Sequence, residues 1–277
     1  FSISRLASKM PWGVGVPGDD AQVMYVWFDA LVNYISAIGW PSDTETFERW
    51  WPVIQFAGKD NLRQQSAMWQ AMLLSAGLPP SRQIMIHGFI TSEGQKMSKS
   101  VGNVIDPIAL MDEYGTDALR YYLARHVHPF EDSDVTEEGF RAAYNANLAN
   151  GLGNFVARVM ALVARNEKVN TKNEKVKCTS EKVSAAIVQA KKTYHAALDS
   201  YHVQNAADAV WKLIQVGDEY VQATRPWEGE KGDVLDDLVV LLGEIATLLV
   251  PILPETAATI QSTLETSTMP PPLFPRK

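Results

Sequence analysis

Lys96 and Lys99 stand three residues apart in Gly94-Gln95-Lys96-Met97-Ser98-Lys99-Ser100-Val101-Gly102-Asn103, a stretch rich in small hydroxyl residues with glycines on either side. That spacing makes a mobile cationic loop. Each lysine carries an ammonium with three donors on a flexible stem, and the glycines free the backbone to move. The chemistry that suits such a loop is neutralisation of a polyphosphate, where fixed cations and positioning do most of the work. A lone pair of lysines at this spacing would be an ordinary solvated turn, so the surrounding residues decide the reading.

Two further sets carry chemistry. In Ala57-Gly58-Lys59-Asp60-Asn61 the glycine permits close approach of backbone to a ligand, and Asp60 offers two acceptors matched to ribose hydroxyls. Helix capping is the plain alternative for Asp60. Val26, Trp27, Ala30, Leu31 and Tyr34 supply an aromatic and aliphatic slot, since Trp27, Ala30 and Tyr34 follow helical spacing once a preceding strand ends. Such a slot suits an apolar, polarizable guest, although core packing is the default for a bare Trp and Tyr at this spacing.

These residues need elements to hold them. Val23-Met24-Tyr25-Val26-Trp27-Phe28 predicts a strand, followed by Asp29 as a helix cap and an apolar helical run. The pattern returns at Pro52 to Ala57, followed by a helix with Leu62, Met68, Trp69, Met72 and Leu73 on its buried side, and again at Ile84 to Gly88. Repeated strand-to-helix units predict an open parallel sheet with its site at the carboxyl ends of the strands. Asp106-Pro107 predicts a helix start, and a second helix begins with Thr116 or Asp117 as its cap. From about residue 138 strand signals vanish. Leu148, Leu152, Phe155, Val159 and Leu162 mark one helix face, with Asn154 and Arg158 four apart on the adjoining side. Val203, Ala206, Val210, Ile214 and Val221, with Gly217, mark a second helix that ends before Pro226, leaving Trp227 at the break. A third runs from Val234 to Leu249, and the proline-rich tail is expected to pack back over the surface. The fold class is α/β followed by an all-α helix bundle.

The 277 residues, 46% hydrophobic and 21% charged, are ordinary globular material for two modest domains. A net charge of −7 argues against indiscriminate nucleic-acid binding. Basic residues cluster only from Arg165 through Lys168, Lys172, Lys175, Lys177 and Lys182 to Lys191 and Lys192, a solvated edge or an RNA-facing strip. Cys178 is the single cysteine, which excludes an internal disulfide and a multi-thiolate zinc site in this chain. No metal-ligating residue is expected in this chain. No signal peptide or clean membrane span is evident, and cytoplasm is the expected compartment, with an organellar address left open.

The lysine loop resembles the KMSKS signature of class I aminoacyl-tRNA synthetases. Together with Tyr25-Val26-Trp27-Phe28-Asp29-Ala30-Leu31-Val32-Asn33-Tyr34, the Ala57 to Asn61 block and the opening Phe1 to Arg5 and Trp12-Gly13-Val14, it is similar to successive blocks of the methionyl-tRNA synthetase family. The resemblance extends to Gly153-Asn154-Phe155-Val156-Ala157-Arg158 and Arg225-Pro226-Trp227. It implies a Rossmann-like nucleotide-binding second half in 1–110, a connecting region in 111–137, and an anticodon-binding bundle with a C-terminal tail in 138–277. The HIGH-type motif is missing from this stretch, so an N-terminal half, carrying any zinc, is expected on a preceding segment or separate chain. This chain alone is then expected to be inactive.

The resemblance further implies methionine–tRNA ligation, with L-methionine, Mg-ATP and tRNA(Met) as partners. It makes Lys99, and secondarily Lys96, the catalytic cations. Lys96, Met97, Ser98 and Lys99 then join Gly58, Lys59 and Asp60 around ATP. Val26, Trp27, Ala30, Leu31, Tyr34 and Asn61 line the methionine pocket, while Asn154, Arg158 and Trp227 read the anticodon. One departure stands out: Gln65 occupies the place of a pocket histidine found in many members, and is taken as a pocket residue without a titrating imidazole. Arg120 is expected to fix a carboxylate. The alternatives are a leucine, isoleucine, valine or cysteine synthetase, or a noncatalytic tRNA-binding module.

Overall fold

The computed structural model describes residues 3–98, 100, 102–166, 177–229 and 232–277. The chain divides into two compact units, Phe1–Phe89 and Ile90–Lys277.

In the first unit, β1 (Ser4–Leu6), β2 (Gly15–Val16) and β3 (Asp19–Met24) form an antiparallel sheet in the order β1-β3-β2. Short helices α1 (Trp27–Ala30), α2 (Asn33–Ser36) and α3 (Thr44–Trp50) follow. The strand expected over residues 23–28 thus stops at Met24, and Asp29 lies inside α1 rather than capping it. β4 (Ile54–Gly58) then pairs in parallel with β5 (Gln83–His87), joined by a 3-10 turn at Lys59–Asn61, a π-helical segment at Gln64–Met68 and α4 (Trp69–Ser75). This parallel pair matches two of the three strand-like runs. The first run is antiparallel because a tight turn at Gly18, φ +81°, folds β3 back on β2.

The core of this unit is aromatic. Phe47 stacks on Trp51 at 5.9 Å between ring centroids, and Trp51 meets Trp69 edge-on at 6.2 Å, both favourable ring geometries. Leu31, Ile35, Met68 and Leu73 complete the cluster. Leu62, expected on the buried side, is exposed because it precedes the π segment and turns away from that side.

The second unit opens with a hairpin of β6 (Ile90–Ser92) and β7 (Gln95–Lys96), followed by α5 (Pro107–Tyr114), α6 (Thr116–His126) and β8 (Ser133–Asp134). β8 pairs in parallel with β6. Asp106 caps α5 as its position before Pro107 predicts, accepting from Ile108 N at 2.8 Å. Neither Thr116 nor Asp117 caps α6. Gly115, at φ +89°, makes that turn, and the Asp117 carboxylate accepts instead from Thr256 N at 2.7 Å.

A long helical column of α7 (Glu137–Ala143), a π-helical segment (Tyr144–Gly153) and α8 (Asn154–Ala164) starts the bundle. α9 (Glu181–Asp199), α10 (Val203–Thr224), α11 (Gly232–Leu249) and α12 (Pro254–Thr266) complete it. The first two apolar stripes are largely inside: Leu148, Leu152, Phe155, Val159, Ala206, Val210, Ile214 and Val221 are all buried. Val203, in the opening turn of α10, is exposed. α9 and α12 carry no clear signal in the sequence, the first because lysines interrupt its apolar stripe and the second because it opens on Pro254, which occupies its first turn. The tail packs back as expected, with Phe274 buried and Tyr144 donating its hydroxyl hydrogen to Pro275 O at 2.9 Å. No helix among the described residues is long and apolar enough to cross a membrane.

A buried carboxylate anchors the start of α9. Asp237, 1% exposed, accepts from Thr179 N, from Ser180 N at 3.2 Å and from the Tyr220 hydroxyl at 2.6 Å. Burial alone would raise its pKa, but the Tyr220 hydroxyl and the two backbone donors hold the carboxyl below its ordinary range. The Tyr220 hydroxyl is correspondingly pushed up to about 12, by burial first and then by Asp237. Removing the carboxylate in Asp237→Ala strands several donors and should lower stability by on the order of 3 kcal/mol, measured by chemical denaturation. Because the folded pKa is depressed, this contribution is full above the unfolded value and fades as pH falls through the folded one. Asp237→Asn should therefore lose less stability than wild type between neutral pH and about pH 3.

Candidate functional site

In the first unit the Gly58 to Asn61 turn sits at the carboxyl end of β4, where an open α/β sheet presents ligands. A Cβ at Gly58 would come within 2.8 Å of Asp60 Oδ1, so the bare glycine lets that carboxylate lie against the strand end. Asp60 lies within the 3-10 turn rather than at a helix cap. A cavity of about 350 Å³ opens beside it, lined by Lys59, Asp60, Trp27, Arg63 and Met68 together with Arg5 and Tyr25. Lys59 Nζ stands 4.5 Å from the centre of the Phe89 ring. Its mixture of cations, one carboxylate and an indole fits a polar ligand with an aromatic part.

Arg5 was not singled out in the sequence. Its guanidinium lies 3.7 Å above the Tyr25 ring, on strand β1, while Trp27 donates its indole N–H to the Tyr25 hydroxyl at 3.2 Å. The only sequence signal was its place in the opening Ser4-Arg5 block, since no spacing rule brings it to Tyr25.

The apolar slot residues do not all share one wall. Leu31 is 1% exposed and belongs to the aromatic core, whereas Val26 is 59% exposed. Trp27 and Ala30 are half-buried on α1, and Asn61 is half-buried in the turn. Tyr34 and Gln65 meet directly: Gln65 Nε2 donates to the Tyr34 hydroxyl at 2.9 Å, and the Tyr34 ring is 6.0 Å from Trp69. Gln65 is 3% exposed and its Oε1 has no hydrogen-bond partner among the described residues. It lies in the π-helical segment, whose wider turn re-aims side chains, a device common at functional sites. The Tyr34 oxygen thus already accepts a bond, and its own hydrogen is left to donate elsewhere.

In the second unit Lys96 ends the β6–β7 hairpin, with Met97 and Ser98 half-buried beyond it. Lys99 lies outside the described residues. A larger cavity of about 550 Å³ flanks this hairpin, lined by Glu93, Glu137 and Glu138 among others. Three carboxylates make it a poor seat for a polyphosphate.

On the bundle, Asn154 begins α8 directly after the second π segment and is exposed. Arg158 follows one turn later, and its Nη1 donates to Asp218 Oδ1 of α10 at 3.0 Å. Burial raises the Asp218 carboxyl against the lowering pull of Arg158. Trp227 is 53% exposed, so it does not close the bundle core. Two described lysines of the basic run are paired with carboxylates: Lys182 faces Glu219 at 3.5 Å and Lys191 faces Glu244 at 3.0 Å. Lys168, Lys172 and Lys175 lie outside the described residues. Arg120 fixes no carboxylate among the described residues; it donates to the carbonyls of Ile252 and Pro251 at 2.9 and 2.7 Å, closing the end of α11.

Residues 1–160 match the family of class I tRNA synthetases designated M, and residues 172–273 match the anticodon binding domain of methionyl tRNA ligase. The chain is 36% identical to methionine–tRNA ligase of Thermotoga maritima over 267 residues, covering 93% of this chain and 42% of that protein. It is 37% identical to the Mesorhizobium japonicum enzyme, covering 93% and 51%. It thus spans about half the length of the curated relatives it matches. Among solved structures, methionyl-tRNA synthetase of Mycobacterium tuberculosis in complex with methionyl-adenylate superimposes with a TM-score of 0.83 at 32% identity, over 99% of this chain and 59% of that one.

Gln65→Leu should leave the stability of the first unit within about 1 kcal/mol, because the lost bond to Tyr34 is offset by removing the unpartnered Oε1. Denaturant unfolding followed by tryptophan fluorescence checks this.

Proposed function

We propose, for a chain that belongs to the methionyl family of class I tRNA synthetases, that it works in methionine–tRNA ligation: ATP-dependent formation of methionyl-adenylate, then transfer to tRNA(Met). The observation that carries this reading is the succession, in one chain, of the class I catalytic match and the methionyl anticodon-binding match. Catalysis then requires the HIGH-bearing half of the fold, on the same or another chain.

In this reading the methionine carboxylate attacks the α-phosphate of ATP and pyrophosphate leaves. Negative charge grows on the departing phosphates, and Lys99, with Lys96, neutralises it. Met97 and Ser98 shape the loop, and Mg²⁺ arrives with ATP as substrate. Gly58 and Asp60 hold the ribose, the glycine by close backbone approach and the carboxylate as a two-oxygen acceptor, with Lys59 beside them. Val26, Trp27, Ala30, Leu31 and Asn61 belong to the methionine pocket. Tyr34, whose oxygen accepts from Gln65, turns its hydrogen to the thioether sulfur, a weak acceptor. Gln65 does this without titrating, so sulfur recognition keeps one form across neutral pH. On the bundle the exposed Trp227 stacks on an anticodon base, while Asn154 and Arg158 bond to base edges. The reaction belongs to translation, with the cytoplasm as the proposed compartment.

ATP–pyrophosphate exchange tests the assignment, using this chain alone and combined with the HIGH-bearing half, across methionine, leucine, isoleucine, valine and cysteine. Exchange is expected from the combination and with methionine only. Exchange with another of these amino acids would transfer the assignment to that synthetase, and none from a folded, associated mixture would leave a tRNA-binding module. Lys99→Ala should slow exchange roughly a hundredfold or more while methionine affinity holds. Trp227→Ala should weaken tRNA(Met) binding by about 1–3 kcal/mol and leave exchange intact.

A further inference from the structure

The lysine hairpin is too small to hold itself. β6 and β7 share only the pairs Thr91–Lys96 and Ser92–Gln95, and a two-stranded hairpin is marginal in water even when longer. Its turn uses Glu93 at φ +54° and Gly94 at φ +71°. That is the doubly left-handed turn that matches strand twist, and it places a non-glycine residue in a disfavoured region.

Besides the backbone pairing of β6 with β8, two side chains hold the hairpin at opposite ends. Asp134, on β8, accepts through Oδ1 from Gly94 N at 2.8 Å and from Thr91 Oγ1 at 2.9 Å, fastening the turn. Asn103, beyond the loop, accepts through Oδ1 from Ser98 N at 2.9 Å. Its Nδ2 donates to Lys96 O and Ser92 O, each at 3.4 Å. Ser98 O in turn accepts from Gly102 N at 3.1 Å, closing the loop onto the glycine before Asn103. The peptide of Lys96 therefore lies between two anchors, one reached through the turn and one bonded to it directly.

We infer that Asn103 and Asp134 are positioning residues that set where the hairpin presents Lys96 to the leaving phosphates. The inference rests on the proposed role of Lys96 and Lys99, to which it adds the two groups through which that role is exercised. Neither side chain reaches the nucleotide in this account. The Asp134 bond to Gly94 is charge-assisted and short. The Asn103 amide needs both its ends, because an oxygen in place of Nδ2 would face the carbonyls of Lys96 and Ser92.

The variants are Asn103→Ala, Asn103→Asp, Asp134→Ala and Asp134→Asn in the complete synthetase. Amide hydrogen exchange over residues 90–103 is read first. Exchange should rise in Asn103→Ala, Asn103→Asp and Asp134→Ala, and stay near wild type in Asp134→Asn, which keeps the acceptor oxygen. Unchanged protection in the two alanine variants overturns the clamp whatever the activity. In ATP–pyrophosphate exchange, kcat should fall roughly tenfold to a hundredfold in those alanine variants with the KM for methionine within about twofold, as expected when catalytic groups are displaced by about an ångström. Asp134→Asn should retain most of the rate. Asn103→Ala should cost much less in a Lys96→Ala background, and a full, additive cost there would overturn action through the hairpin. Normal activity in Lys96→Ala and Lys99→Ala would instead remove the proposed role of the loop, and the hydrogen-exchange result would still decide the clamp.

Discussion

The helical unit depends on the contact between Phe155 and Gly217. A side chain at Gly217 would occupy the space of the Phe155 ring and come within 2.9 Å of Leu241 Cδ2, so α8, α10 and α11 meet at a distance only glycine allows. Phe155, Val159, Leu213, Leu238, Leu241 and Leu242 are essentially inaccessible around this point. Interiors packed this closely do not deform gradually. With Phe155 committed inward, Asn154 is exposed beside it and Arg158, one turn on, reaches Asp218. The proposed anticodon-reading face is thus the reverse side of a packing decision.

The same relation between packing and chemistry holds in the first unit. Trp69 is fully buried against Trp51 and touches Tyr34, so the aromatic core and the proposed methionine pocket share a wall. Tyr34 presents one ring surface to the core and its hydroxyl to Gln65. A polar pair at the border of an apolar cluster is well suited to an apolar guest carrying one weak acceptor. The unpartnered Oε1 of Gln65 is the cost of keeping an amide there.

Both π-helical segments sit where proposed ligand-reading residues begin, one containing Gln65 and the other ending at Gly153, directly before Asn154. A π segment fits extra residues into its turns and rotates everything after it. An apolar stripe read at 3.6-residue spacing therefore drifts out of phase across such a segment, which is why Leu62, just before the first one, lies off the buried side that its spacing predicts.

Motifs that work through local identity were legible in the sequence. The KMSKS loop, the Gly58 to Asn61 block and the Trp27 to Tyr34 block carried the likeness to methionyl-tRNA synthetases that the comparisons show, and apolar periodicity carried the α/β-then-helical fold. Capping by Asp106 before Pro107 was equally local. What remained hidden depends on atoms far apart in sequence: Arg5 over Tyr25, Arg120 on the carbonyls after α11, Asp117 on α12, and Asp134 on the hairpin turn. Periodicity reports which face of an element is apolar, because burial selects for it along the whole element. A single polar partner leaves no such repeat, so only the tertiary structure decides which donor meets which acceptor.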